Sequence, residues 1–234
     1  MQFPTEETWD FWQDGAHSPA FNMAADEALL ETAMERGRPL LRVYSWDRPS
    51  VSIGYIQQRA SAPEGFAVVR RPTGGGIVYH DMDYTYTVVF PEGHWLTGLD
   101  RTMSYDWINR AVQAALNSLK CNASLSQDSI PHDVDRLTMV CFTNPTKYDI
   151  LFDGRKVAGS AQRRTNDGIL HQGSIHFGRP LPFPREALTE QLLAAFKDIM
   201  KITFSDFLPT DGFLSKIAEK VADKYDTDEW NNRR

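Results

Sequence analysis

Arg70-Arg71-Pro72-Thr73-Gly74-Gly75-Gly76-Ile77-Val78-Tyr79-His80-Asp81 is the least ordinary stretch of this chain. Three consecutive glycines cost backbone entropy, so they need a reason: a left-handed conformation or a ligand pressed against the main chain. Arg70 and Arg71 adjoin them, and free amides beside guanidinium groups suit a carboxylate or phosphate. The pattern is not a Walker loop, which continues Gly-Lys-Ser/Thr, and it does not open a helix, because the β-formers Ile77, Val78 and Tyr79 follow. A bulge or tight loop inside a sheet is the plain alternative.

On either side of the glycines the chain alternates in the manner of strands. Phe66 to Arg70 precedes them, Ile77 to Tyr79 follows, and Tyr84 to Phe90 continues with β-branched and aromatic residues. Upstream, Leu40 to Trp46 and Val51 to Ile56 are β-prone, and Asp47-Arg48-Pro49-Ser50 between them predicts a hairpin turn. Ala20 to Arg36 carries Met23, Leu29, Leu30, Ala33 and Met34 at helical spacing and stops at Gly37-Arg38-Pro39. Downstream, a helix is expected over Ser104 to Leu119, then a long polar loop from Asn122 to Thr138. Strands follow at Tyr148 to Phe152, Lys156 to Ala161 and Gly168 to Phe177, and helices at Arg185 to Met200 and Asp211 to Tyr225. The sum is one α+β domain over residues 1–234, a mostly antiparallel sheet flanked by helices.

Composition narrows the function. With 234 residues, 41% hydrophobic and 12% aromatic, the chain has the makings of an ordinary core and is neither disordered nor fibrous. Its net charge of −6 argues against broad nucleic-acid binding, which needs a basic face. No apolar run reaches the ~18 residues of a membrane-spanning helix, and the first residues lack the basic and apolar regions of a signal peptide. A cytoplasmic location is the expectation. Cys121 and Cys141 are too few for a disulfide framework and lack zinc-ligand spacing.

Gly154-Arg155-Lys156-Val157-Ala158-Gly159-Ser160-Ala161-Gln162 repeats the theme of cations among small residues. Lys156 lies on a β-prone run, and the small Gly159, Ser160 and Ala161 would let a ligand approach closely; a solvated hairpin is the alternative. Cys141 stands in Val140-Cys141-Phe142, which reads as core packing on residue type. Its place just before the run that carries Lys156 gives a second reading, in which an ammonium supports a reactive thiolate. His80 and His171 are each either hydrogen-bonded structural imidazoles or bases.

Together, the Arg70 to Asp81 and Gly154 to Gln162 stretches resemble the two signatures of the lipoate-protein ligase and octanoyltransferase family. Phe21-Asn22-Met23-Ala24-Ala25-Asp26-Glu27-Ala28, Ser52-Ile53-Gly54-Tyr55-Ile56-Gln57 and Lys224-Tyr225 through Trp230 extend the likeness over nearly the whole chain. The resemblance implies a biotin/lipoyl-ligase fold and an enzyme that joins an octanoyl or lipoyl group, by amide bond, to one lysine of a lipoyl carrier domain, the E2 of a 2-oxoacid dehydrogenase or the glycine-cleavage H protein. It implies Lys156 and Cys141 as catalytic, and Arg70, Arg71, Thr73, Gly74, Gly75, Gly76, His80, Gly159, Ser160, Ala161 and His171 as substrate-binding. No bound metal is implied.

Two branches stay open. Cys141-Phe142, Pro145 and Tyr148-Asp149-Ile150 resemble the cysteine octanoyltransferases, which need no tightly bound cofactor and take the acyl group as a thioester, an acyl-carrier protein being a possible donor. The unbroken Gly74-Gly75-Gly76 resembles the ATP- and Mg-dependent ligases, which work through lipoyl-adenylate. The chain carries no sign of the accessory C-terminal domain many ligases have. A non-catalytic acyl- or adenylate-binding relative is the third reading. The carriers implied are acidic, like this chain, so docking is expected to rest on local cations such as Arg155, Arg163 and Arg164.

Overall fold

The computed structural model describes residues 7–128, 135, 137–143 and 145–233. Its alternating segments pair into one eight-stranded sheet, whose order is β11 (Ile202–Asp206), β1 (Glu7–His17), β2 (Leu40–Trp46), β6 (Tyr84–Pro91), β10 (Gly168–Ile175), β9 (Arg155–Thr165), β8 (Ile150–Phe152) and β7 (Ser124–Leu125). The β11–β1 and β1–β2 pairings are parallel, and the rest are antiparallel. A smaller sheet is ordered β4 (Ala67–Arg70), β3 (Ser50–Ile53), β5 (Val78–His80).

Period-two alternation divides each central strand between two cores. From β6, Tyr84, Tyr86, Val88 and Phe90 pack with α3 (Arg101–Ser118) and α4 (Arg185–Met200). Val89 of the same strand joins Leu40, Tyr44 and Leu170 under α1 (Pro19–Glu31) and α5 (Asp211–Lys220). The result is a sheet between two helical layers, the α+β arrangement expected. Ser18 starts α1 by accepting a hydrogen bond from the Phe21 amide, with Pro19 in the first turn, where its missing N–H costs nothing.

A buried polar hub sits on the α1 side. Asp26 of α1 accepts from Arg42 of β2, Tyr44, Thr87 of β6 and Gln172 of β10. Arg42, fully buried, also pairs with Asp14 at 2.7 Å, so its charge is balanced twice. Gln172 accepts in turn from Thr73 Oγ1 at 2.7 Å, which joins the hub to the glycine stretch.

Several expectations need correcting. Leu40 to Trp46 and Val51 to Ile56 do not form a hairpin: β2 lies between β1 and β6 of the large sheet, while β3 pairs with β4 and β5 of the small one. All of β3 is buried, as are Leu40 to Tyr44 of β2, and each strand meets that demand with two neighbours that the 47–50 turn alone could not supply. The strands at Glu7–His17 and Ile202–Asp206 escaped the sequence reading. The first helix breaks at Thr32 before α2 (Ala33–Arg36), and the last passes into a π turn at Val221–Tyr225 before α6 (Asp228–Asn231). Of the loop expected over 122–138, residues 129–134 and 136 lie outside the described residues.

Candidate active site

The glycine stretch folds back on the end of β3. Gly75 takes φ +91°, which glycine adopts without strain, and a Cβ on Gly54 would collide with the Gly75 carbonyl. Arg71 holds the turn together from inside. Its guanidinium donates to the carbonyls of Ser52 (2.9 Å), Gly74 (2.6 Å) and Gly76 (2.7 Å). Burial pulls the Arg71 pKa down to about 10, so it remains a cation at neutral pH. Arg70 works from behind, donating to the carbonyls of Gly54, Gln57, Trp230 and Asn231. The anion-binding donors expected of these two arginines are thus directed at main-chain oxygens.

The same loop positions Cys141. Ile77 donates to Met139 O and the Cys141 amide to Ile77 O, both at 2.9 Å, and Gln57 braces Met139 O from the other side. A Cβ on Gly76 would stand 2.6 Å from Met139 O and 2.8 Å from the Cys141 nitrogen, so this close backbone passage needs glycine. Cys141 opens a 3-10 turn, Cys141–Thr143, and is half-buried rather than a core residue.

Opposite it, β9 presents Lys156. The ammonium lies 3.4 Å from Cys141 Sγ and 2.7 Å from Asp149 Oδ2, with 3% of the side chain exposed. A β-bulge explains its inward turn: Ile150 pairs with Ala158 but Leu151 with Lys156, so the consecutive Lys156 and Val157 are both buried where strict alternation would expose one. Burial alone would lower the Lys156 pKa; attraction to Cys141 and Asp149 outweighs it and raises it. Gly159 leaves room for this pairing, since a Cβ there would lie 2.5 Å from Lys156 Cε and 3.0 Å from Asp149 Oδ1.

Two spaces meet at the pair. A narrow cavity of about 50 Å³ runs inward between Cys141, Gly159, Gly75, Trp46 and Met23. The polar side chains in its wall are already partnered: Gln172 with Thr73 and Asp26, Ser174 with Asp83, and His80 with Ser52 (2.8 Å) and Asp83 (2.8 Å). Arg71, held on main-chain carbonyls, also lines the slot, and at this volume a longer apolar chain enters only as flexible Met23 yields. On the outer side is an open groove of about 890 Å³ with Lys156, Arg155, Arg179 and His176 in its wall. Phe142 borders both spaces.

Of the residues singled out in the sequence, Cys141, Lys156, Arg71, Gly75, His80, Gly159, Ser160 and Ala161 converge here. Thr73, Gly74 and Gly76 shape the loop through the contacts above. His171 faces the other side of β10, fully buried between Tyr86 and Tyr105, and accepts from Gln162 through Nδ1. Burial takes its pKa down to about 3, so the ring is neutral at working pH. Asp149, Gly54 and Gly173 were missed as site residues. Their signal was tertiary: Asp149 meets Lys156 across a bulged hairpin, and Gly173 makes way for the Tyr86 ring.

A thiol and an ammonium thus stand between a small inner cavity and an open groove, in a fold whose relatives are known. Residues 18–201 match the Lipoyl protein ligase A/B catalytic domain, and this chain belongs to that family. It is 33% identical to the octanoyltransferase LipM of Anoxybacillus flavithermus, over 98% of this chain and 99% of that protein. It is 37% identical to the LipM of Moorella thermoacetica, over 81% and 75%. Among solved structures, the putative lipoate protein ligase Ta0514 of T. acidophilum superimposes with a TM-score of 0.80 at 23% identity, covering 98% of this chain and all of that one. A lipoate-protein ligase A bound with ATP superimposes with a TM-score of 0.80, also at 23% identity, covering 97% and 98%. The chain is therefore an enzyme of the acyltransferase and ligase class that serves protein lipoylation.

Proposed function

We propose that this enzyme transfers an octanoyl group from a thioester donor, such as an acyl-carrier protein, to a lysine of a lipoyl carrier domain, E2 or H protein, through a thioester on Cys141. The observation that carries this reading is the 3.4 Å approach of Lys156 Nζ to Cys141 Sγ where slot and groove meet. The ammonium supports the thiolate, which attacks the donor carbonyl while the acyl chain lies in the slot. As the tetrahedral oxyanion forms, Lys156 donates to it; a donor so placed contributes about 2.7–4 kcal/mol. The donor thiolate leaves and takes a proton. The carrier lysine, arriving along the groove as a free amine, then attacks the Cys141 thioester; the C–N bond forms, the C–S bond breaks, and the proton shed by the nitrogen passes to the departing Cys141 sulfur.

The names of the LipM relatives support transfer over ligation. Incubation with octanoyl-carrier protein is expected to leave an octanoyl adduct on Cys141 that hydroxylamine removes. Full activity in Cys141→Ser would overturn the nucleophile, and product formed from free lipoate with Mg-ATP but not from octanoyl donor would favour the ligase.

A further inference from the structure

Lys156 carries a risk as well as a benefit. Once Cys141 holds an acyl group, a neutral amine about 3.4 Å from that sulfur would stand where the carrier lysine must stand, ready to take the acyl group itself. We propose that Asp149 is a positioning residue that keeps Lys156 an ammonium in the acyl-enzyme and so prevents the enzyme from acylating its own lysine. This rests on the Cys141 thioester reading above.

In the free enzyme Lys156 faces two partners, the Cys141 sulfur and the Asp149 carboxylate. Acylation neutralises the sulfur, and Asp149, 2.7 Å away, is then the anion that still holds the proton. Among the described residues the surroundings give no substitute. Tyr86 from β6 and Tyr105 from α3 are buried, which pushes Tyr105 up to about 12 and Tyr86 higher, so both are neutral. Arg71 of the glycine loop is a cation and opposes a second positive charge. His176 sits on the groove wall, paired with Asp81 at 3.5 Å, and the Phe142 ring, with its centre 5.6 Å from Nζ, adds only a weak attraction. A lysine 3% exposed and stripped of its anion loses its proton readily.

The carboxylate is itself fixed. Thr146 donates its amide (2.6 Å) and hydroxyl (2.8 Å) to Asp149 Oδ2, which holds the carboxylate in place beside Lys156. Gly159 keeps the space beside the ammonium and the carboxylate clear of any side chain.

The reaction prevented is balanced without a co-reactant. The Lys156 nitrogen attacks the thioester carbonyl, the C–N bond forms and the C–S bond breaks, and Cys141 leaves as a thiolate that takes the proton released from nitrogen. The product is an amide that no later step reverses, with Lys156 spent.

The test acylates wild type, Asp149→Asn and Asp149→Glu with octanoyl-carrier protein in the absence of acceptor domain. Each is then treated with hydroxylamine, and the remaining octanoyl group is located by peptide mass spectrometry. Wild type should carry a labile adduct on Cys141 and little else at neutral pH. Asp149→Asn should accumulate a resistant octanoyl-Lys156 at least roughly tenfold above wild type, the rise in free amine that one pKa unit produces. Asp149→Glu should return it toward wild type, and Cys141→Ser in the Asn background should abolish it. A folded Asp149→Asn that carries only the labile adduct overturns the proposal and leaves the thioester reading intact. Absence of any labile adduct in wild type overturns both. Should Asp149→Asn not fold, wild type alone decides through a pH series: resistant adduct that appears only at alkaline pH supports the guard, and adduct independent of pH removes it.

Discussion

At Gly159 one hydrogen atom separates an assembled site from a blocked one. A methyl group there would stand 2.5 Å from Lys156 Cε and 2.8 Å from Nζ, the end of a side chain that can swing away. Gly159→Ala should therefore fold with near-native stability yet lose roughly 10²-fold or more in acyl transfer, the cost of removing one oxyanion donor. Single-turnover acylation together with a thermal melt separates the two effects. His171 offers a pH test. Its pKa, about 3 when folded, lies below the 6.5 of an ordinary histidine, so the unfolded chain binds the extra proton between those limits. The stability this neutral ring represents is complete above pH 6.5 and is lost as pH falls toward 3, at up to ~1.4 kcal/mol per pH unit. His171→Asn should flatten that limb of the stability profile, measured by urea denaturation across the range.

Part of this residue scale was legible in the linear chain. The three glycines announce a close backbone passage, whereas residue type alone read Cys141 as core packing and Lys156 as a solvated hairpin, and only the family resemblance set the two apart. The partners of Arg70 and Arg71 were not legible, since a guanidinium beside glycines serves a ligand anion and a ring of carbonyls equally well. Asp149 was hidden for another reason: its approach to Lys156 depends on the bulge between β8 and β9, and no residue pattern marks where a register slips.

Among the elements, α6 has the least obvious task. Trp230 donates to Arg70 O at 2.8 Å, Asn231 accepts from the Arg70 amide at 2.8 Å, and the Arg70 side chain donates back to the carbonyls of both. The last helix thus clasps the strand that leads into the glycine turn. Arg70→Met, close in volume but without donors, should leave these buried carbonyls short of partners and cost about 3 kcal/mol or more. The same change should lower acyl transfer by loosening the Cys141 turn, read as a fall in the midpoint of chemical denaturation and in the rate of thiol alkylation. The Lys224 to Trp230 segment was recognisable by resemblance, but its contact with Arg70 joins residues about 160 positions apart.

Over the whole molecule, a net charge of −6 would oppose a carrier as acidic as the family resemblance implies, and on the proposed function attraction would come from local cations in the groove. The three cations named from sequence divide on this point. Arg164 is engaged with the carbonyls of Thr97 and Leu99 and the Ser104 hydroxyl, and Arg163 lies by Tyr55 and Glu27. Arg155 is exposed on the groove wall with Arg179. Charge reversal of Arg155 and Arg179 together should slow carrier acylation at low salt and have little effect near 1 M, where the screening length falls to about 3 Å. Stopped-flow association at two ionic strengths checks this, and a rate indifferent to both changes places docking elsewhere.

The order of residues alone set the class of fold and the two glycine-rich signatures, because alternation, helical spacing and glycine's conformational freedom are local properties. Folding settled the rest. It sent β2 and β3 to different sheets, turned two arginines onto main-chain carbonyls and brought a carboxylate against Lys156. Those outcomes depend on which neighbours satisfy a buried strand or a buried charge, and such neighbours are chosen across the molecule rather than along the chain.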